Sequence, residues 1–181
     1  MRVVLDTCVL IPTPLRNILM RLAEQNLFFP LWSEKIFEEW EFFVTRNMGN
    51  AVNSTKIEIL LMKSKWKRSL VTSDKELEET LFLPDRNDIH VLATAITGQA
   101  QVLLTNNLKD FPSRLLAKHN IISRSVDNFL LELFHEAPQV IESIVNDTIK
   151  SFEENNAFKV NSKKAFLKKY GLTRLAKTIL F

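Results

Sequence analysis

Arg2-Val3-Val4-Leu5-Asp6-Thr7 sets three consecutive apolar residues, two of them β-branched, directly before a carboxylate. So short a continuous apolar run reads as a strand buried on both faces, the pattern of a parallel sheet. Val102-Leu103-Leu104 repeats the pattern, and Ile121-Ile122 suggests a third short strand. Phe28 to Trp32 reads as either a strand or a buried connector. Helical spacing fills the intervals. Thr13 is placed to cap a helix with Pro14 in its first position, followed by Leu15, Ile18, Leu19, Leu22 and Ala23. Ser33 is placed to cap a helix from Glu34 to about Asn47, in which Ile36, Phe37, Trp40, Phe43 and Val44 gather on one side. A polar turn over 50–55 precedes Ile57, Leu60 and Leu61 at helical spacing, and 84–87 forms another turn. Ile89, Leu92, Ala93 and Ile96 mark the next helix, and Leu115-Leu116 a short one. Ser125 or Asp127 caps a helix bearing Phe129, Leu130, Leu133 and Phe134. Strands alternating with helices predict an α/β sandwich around a small parallel sheet.

After Pro138 the pattern is wholly helical: Val140, Ile144, Val145 and Ile149, then Phe166 and Tyr170, a stop at Gly171, and Leu172, Leu175, Ala176 and Ile179. The boundaries expected are therefore a domain over 1–135 and a basic helical extension over 136–181. The extension is charged unevenly. Lys159 to Phe181 contains seven basic residues and no acidic one, so residues 1–158 keep 17 basic against 21 acidic, net −4 within an overall +3. A basic tail on an acidic body suits a polyanion.

At 181 residues and 46% hydrophobic, the chain is long enough for a real core. The single cysteine excludes an internal disulfide, and three glycines leave no glycine-rich phosphate loop. With no apolar run of membrane-spanning length and no targeting segment in view, a cytoplasmic location and no membrane partner are expected.

Four carboxylates stand at the edges of core elements, where an isolated charge is costly. Asp6 ends the first strand, Glu39 lies on the margin of an aromatic-rich helix face, Asp88 opens a helix, and Asp110 closes the loop after the second strand. Sites on open α/β sheets form outside the carboxyl ends of strands, at a switch in strand order. Asp6, Asp88 and Asp110 can converge there, with Glu39 approaching from its helix. Of the three neighbouring glutamates, Glu38 and Glu41 point away from the apolar face. Convergent carboxylates suit a hard cation such as Mg²⁺ or Mn²⁺. Hydrolysis of a phosphodiester is the natural chemistry of such a site. His90, His119 and His135 make no zinc set. Asp85 and Asp127 read as turn or cap residues, His90 as packing locally, Cys8 as inert, and Trp32, Trp40 and the phenylalanines as core.

Four stretches, in order, carry a family likeness: Val4-Leu5-Asp6-Thr7, residues 32–40 (Trp32 to Trp40), residues 85–93 (Asp85 to Ala93), and Thr105-Asn106-Asn107-Leu108-Lys109-Asp110-Phe111. Across residues 2–135 the chain resembles PIN-domain ribonucleases, in particular the VapC-type toxins of toxin–antitoxin pairs. Its extension resembles that of a longer subgroup. The resemblance implies a PIN-like three-layer sandwich and a metal-dependent endoribonuclease, with Asp6, Glu39, Asp88 and Asp110 as its acidic metal site and Thr105 and Asn107 as polar support. Asp6 and Asp110 are expected as the main ligands, with Asp88 and Glu39 completing the site directly or through water. RNA is the implied substrate; a cognate antitoxin and a second copy of the chain are candidate partners. Lys163, Lys164, Lys168 and Lys169 are expected to hold RNA without entering the chemistry.

Three other readings compete. A haloacid-dehalogenase-type phosphatase needs a second Asp two positions after the first, where this chain has Cys8. A receiver domain needs a paired acidic motif that is not apparent. A PIN fold used only to bind RNA or dock protein is the remaining alternative, and the complete acidic set argues against it.

Overall fold

The computed structural model describes residues 1–72, 74–156, 160 and 162–179. Its centre is one sheet of four parallel strands, β1 (Arg2–Leu5), β2 (Phe29–Leu31), β3 (Val102–Leu104) and β4 (Ile122–Arg124), in the order β2-β1-β3-β4. Val3, Val4 and Leu5 are fully buried, as a strand covered on both faces requires. The ambiguous 28–32 stretch resolves into β2 because Phe29, Pro30 and Leu31 pair in register with Arg2, Val3 and Val4.

Helices fill the crossovers: α1 (Thr7–Leu10), α2 (Thr13–Glu24), α3 (Glu34–Asn47), α4 (Val52–Lys65), α5 (Lys75–Thr80), α6 (Ile89–Thr97), α7 (Ser113–Leu116), α8 (Val126–Glu136), α9 (Pro138–Asn156), α10 (Lys163–Lys169) and α11 (Leu175–Thr178). From β1 the chain steps outward to β2, then crosses back past β1 to β3 and β4. Right-handed connections running in opposite directions along a sheet lie on opposite faces, so the sheet is sandwiched between helical layers. The switch point falls between β1 and β3. Among the described residues, no helix is long and apolar enough to cross a membrane.

Three local expectations are corrected. Thr13 is the first residue of α2, not its cap: its hydroxyl accepts from Arg16 Nη2 at 3.2 Å. Ser33 occupies the cap position of α3, yet its buried hydroxyl bonds to nothing there. The helix α4 begins inside the expected polar turn and buries Thr55, Ile59 and Met62, leaving Ile57, Leu60 and Leu61 58–65% exposed. Arg16 explains the rotation. Its guanidinium is buried, lies 4.5 Å over the Trp40 ring, and pairs with Glu58. A buried guanidinium needs that carboxylate, and holding the part-exposed Glu58 beside the buried Thr55, Ile59 and Met62 leaves Ile57 and Leu60 on the outer side.

In the extension, α9 lies across α2 and α8, and α11 packs on α8. Gly171, at φ +80°, breaks α10 from the turn into α11, a backbone conformation that favours glycine. Phe166, Leu172, Leu175, Ala176 and Ile179 are buried, as their spacing predicts. Lys159 lies outside the described residues. Asp127 does more than begin a helix, since Ser125 provides the cap of α8. Its buried carboxylate accepts from Arg174 N (2.8 Å), Leu175 N (3.0 Å) and Thr173 Oγ1 (3.2 Å), tying the last turn to the domain. Asp127→Ala leaves two backbone donors unpaired and is expected to cost about 2–3 kcal/mol in denaturant unfolding. An unchanged midpoint would show that the apolar contacts alone hold the extension.

Candidate metal centre

The carboxyl ends of β1 and β3 place Asp6 and the 105–110 loop side by side. Asp6 N donates to Leu104 O at 3.1 Å, which continues the ladder to the strand's last residue. Asp6 precedes α1 but makes no side-chain cap, so its carboxylate turns to the loop instead. Its Oδ2 accepts from Thr105 Oγ1 at 2.7 Å and from Cys8 Sγ at 3.1 Å. Thr105 is fully buried, and its hydroxyl in turn accepts from Asn107 N at 2.9 Å. Asn107 Nδ2 donates to Asp110 Oδ2. Thr105 and Asn107 thus connect the two acids in one hydrogen-bonded chain.

Glu39 arrives from α3, half-buried, while Glu38 is exposed. Both its oxygens are held: Oε2 accepts from Thr7 Oγ1 at 2.8 Å, and Oε1 lies 2.7 Å from His90 Nε2. His90 is fully buried and is a member of this site, not the locally packing residue the sequence suggested. The signal was available, since His90 stands two residues beyond Asp88 on the helix that leads into β3, but its partner is 51 positions away. Cys8 is likewise no bystander: it touches Asp6 and lies 3.4 Å from Thr105 Oγ1. Burial and the charge of Asp6 push its thiol up to about 12, so it stays protonated and donates.

Asp88 ends the 3₁₀ turn Arg86–Asp88 ahead of α6, and its side chain caps nothing. Its Oδ2 is buried without a partner. Asp85 caps that turn, accepting from Asn87 N at 2.9 Å, as the sequence reading had it. It also does something unforeseen: Asp85, Asp88 and Asp110 bring one carboxylate oxygen each within 4.8 Å of one another. Asp6 and Glu39 stand outside that trio, but with Asp88 they line one cleft of about 650 Å³, which Thr7, Cys8, Asn107, Phe42, Phe43, Arg46 and Asn47 also line. Asp88 is thus shared by the trio and the cleft, and the charges of Asp6, Asp85, Asp110 and Glu39 all act on it.

Electrostatics follow from the crowding. Burial, then the charges of Asp6, Asp85, Asp110 and Glu39, push Asp88 up to about 6. Burial raises Asp6 as well, against the hydrogen bonds of Thr105 and Cys8. Burial also pushes on Glu39, but the bond and charge of His90, with Thr7 and Lys35, outweigh it and hold that carboxyl low. The donor set fits a hard divalent ion: oxygens only, several charged, one of them buried and unbonded. Asp85, Asp88 and Asp110 would hold such an ion, with Asp6 and Glu39 facing it.

The raised Asp88 pKa gives a signed pH dependence. Between about pH 4 and 6 the folded chain holds a proton that the unfolded chain has lost, so metal-free stability falls as pH rises through that window. Asp88→Asn is expected to raise the metal-free Tm by about 2–4 °C at pH 7.5, after allowance for solvent screening, and very little at pH 4. Calorimetry in chelator at both values checks it. Equal gains at both would mean that charge is not the cause.

Known proteins share parts of this sequence and fold. A Mycobacterium tuberculosis protein named "Putative ribonuclease VapC50" is 40% identical over 57 residues, which make up 30% of this chain and 34% of that protein. The match thus spans about a third of that relative's length. A crystal structure of VapBC2 from Rickettsia felis, bound to a DNA fragment from their promoter, aligns at 20% identity and a TM-score of 0.48, covering 69% of this chain and 98% of that one. The model of the PIN domain matches residues 2–109, which include Asp6, Glu39, Asp85 and Asp88 and reach the loop that carries Asp110. With more than half of its length matched to that model, the chain belongs to the PIN domain family.

Proposed function

We propose that this protein is a divalent-metal-dependent endoribonuclease and the toxin of a toxin–antitoxin pair. The observation that carries the reading is the trio Asp85, Asp88 and Asp110, with its bare buried oxygen, facing Asp6 and Glu39 at the sheet's switch point. The family and the ribonuclease name of the mycobacterial relative support the same chemistry. A bound Mg²⁺ or Mn²⁺ supplies activation of water and stabilisation of charge at phosphorus.

The chain's own residues do the rest. Asp6, fixed by Thr105 and Cys8, and Asp110, fixed by Asn107, hold their carboxylates in place without rotamer search. Glu39, held low by His90, is ionised at neutral pH and able to take a proton from an attacking water. We assign the chemistry to residues 1–135. The extension, 136–181, is the part that adds affinity for RNA: Lys163, Lys164, Lys168 and Lys169 are all exposed on it, Lys163 donating to Asn146 Oδ1 at 2.9 Å. The exposed apolar face of α4 supports a protein partner, an antitoxin or a second copy.

Purified chain incubated with RNA is expected to cut internally with Mg²⁺ or Mn²⁺, to lose that activity in EDTA, and to regain it when either ion is restored. Undiminished cleavage in EDTA, or trimming only from ends, would refute the reading. Metal-independent RNA binding with no cleavage would favour the non-catalytic module.

A further inference from the structure

On α3 the residues that follow Glu39 at helical spacing also face the cleft. Glu39, Phe42, Phe43 and Arg46 stand at i, i+3, i+4 and i+7, one stripe of the helix, and all four line the cavity that holds Asp6 and Asp88. The sequence had placed Phe43 among the core residues of this helix and the phenylalanines in general inside. The structure leaves Phe42 67% and Phe43 40% exposed, while Ile36, Phe37, Trp40 and Val44 take the buried side. The reason is geometric: Trp40 and Val44 lie about 40° apart on the buried side of the helix, and Phe43, about 60° back from Trp40 and about 100° back from Val44, lies toward the cleft that Phe42 also lines. Arg46, also exposed, makes no hydrogen bond or ion pair among the described residues, although the cleft beside it is acidic.

We propose that this stripe is a subsite for one unpaired nucleotide flanking the scissile phosphate, its base against Phe42 and Phe43 and its outer phosphate at Arg46. The proposal rests on the nuclease reading and assigns contact with an unpaired nucleotide to these three side chains of α3. At about 1.5 Å of rise per residue, the rings sit about 5–6 Å and Arg46 about 10 Å along the helix from Glu39. Carboxylate, rings and cation are thus ordered outward from the metal centre, as a phosphate at the metal, a base and a second phosphate would need. A base inside a duplex has both faces stacked on neighbours and cannot reach the rings, whereas an unpaired one can. Stacking uses the π-face common to all four bases, so the subsite selects strandedness and not sequence. Among the described residues, Arg46 is the cation that lines this cleft.

The test uses the full chain carrying Asp6→Asn, with Mg²⁺ present, and a labelled oligoadenylate either single or paired with oligouridylate, read by fluorescence anisotropy. Phe42→Leu with Phe43→Leu should weaken single-strand binding about tenfold and leave duplex binding unchanged. Phe42→Trp should keep the affinity and show fluorescence quenched by the single strand. Arg46→Gln should weaken binding and lower the slope of log affinity against log salt by about one. Single-strand affinity unchanged in the double leucine variant would overturn the subsite and leave the rings to a protein partner. The two readings fail separately. If the cleavage-competent double leucine variant cuts single strands with an unchanged KM, the subsite is wrong and the nuclease stands. Ring-dependent binding by a wild-type chain that never cuts RNA would keep the subsite and remove the nuclease.

Discussion

Asp6→Asn is expected to lower RNA cleavage by about a thousandfold or more while the folded state persists. Asparagine keeps the side-chain shape and an oxygen that can still accept from Thr105 and Cys8, so packing at the end of β1 is undisturbed. What it removes is one negative charge from the wall of the cleft, and with it part of the field that would hold a divalent ion. Losing several kcal/mol of such stabilisation corresponds to a loss of that size in rate. Because burial raises the Asp6 pKa, its ionised form is a cost to the metal-free fold, and the neutral variant should melt at the same temperature or higher. Single-turnover cleavage beside a thermal melt in EDTA checks both halves. Wild-type cleavage by Asp6→Asn would remove Asp6 from the machinery, and a collapsed melt would make the lost activity uninformative.

Glu39→Gln is the second large expected effect, a fall in turnover of about 10²–10⁴-fold, the range for losing a positioned acid–base group. Glu38→Gln, on an exposed side chain one position away, should behave as wild type. The contrast follows from helix rotation and is sharpened by the partners: Glu39 alone is clamped by Thr7 and His90. The glutamine amide can still accept from Thr7, but at neutral pH it cannot take a proton. His90→Gln should therefore be milder than Glu39→Gln, since a donor to Glu39 is retained at that position. Turnover measured for all three variants at saturating RNA decides it. A harmless Glu39→Gln beside a damaging Glu38→Gln would mean that α3 presents a different face to the cleft.

The strands at β1 and β3, the longer amphipathic helices α2, α3, α6 and α8 and the two short helices of the extension were legible from local pattern, because burial on both faces leaves a continuous apolar run and burial on one face leaves a helical period. With four and six residues, α1 and α5 are too short to show one. Asp6, Asp88 and Asp110 were legible for a related reason: a charge at the end of a buried run has no folding purpose of its own. Phe43 was misread, and the rotation of the helix bearing Ile57, Leu60 and Leu61 was not legible, because hydrophobicity indicates that a side chain can be buried, not which of two apolar faces meets the core. For α4 the pairing of the buried Arg16 with the part-exposed Glu58 bears on that choice. Nothing near either residue in the chain announces a contact 42 positions away.

The sequence by itself determined the fold class, through its periodicity, and the family, through four stretches in order, since both depend on features visible along the chain. The tertiary structure decided how the acids of the site divide. Asp85 joins Asp88 and Asp110, Glu39 is claimed by His90 and Thr7, and Asp6 is bound to Thr105 and Cys8. Each pairing spans a crossover of the sheet or a tight turn, and its strength depends on distances of about 3 Å that no spacing along a chain can specify.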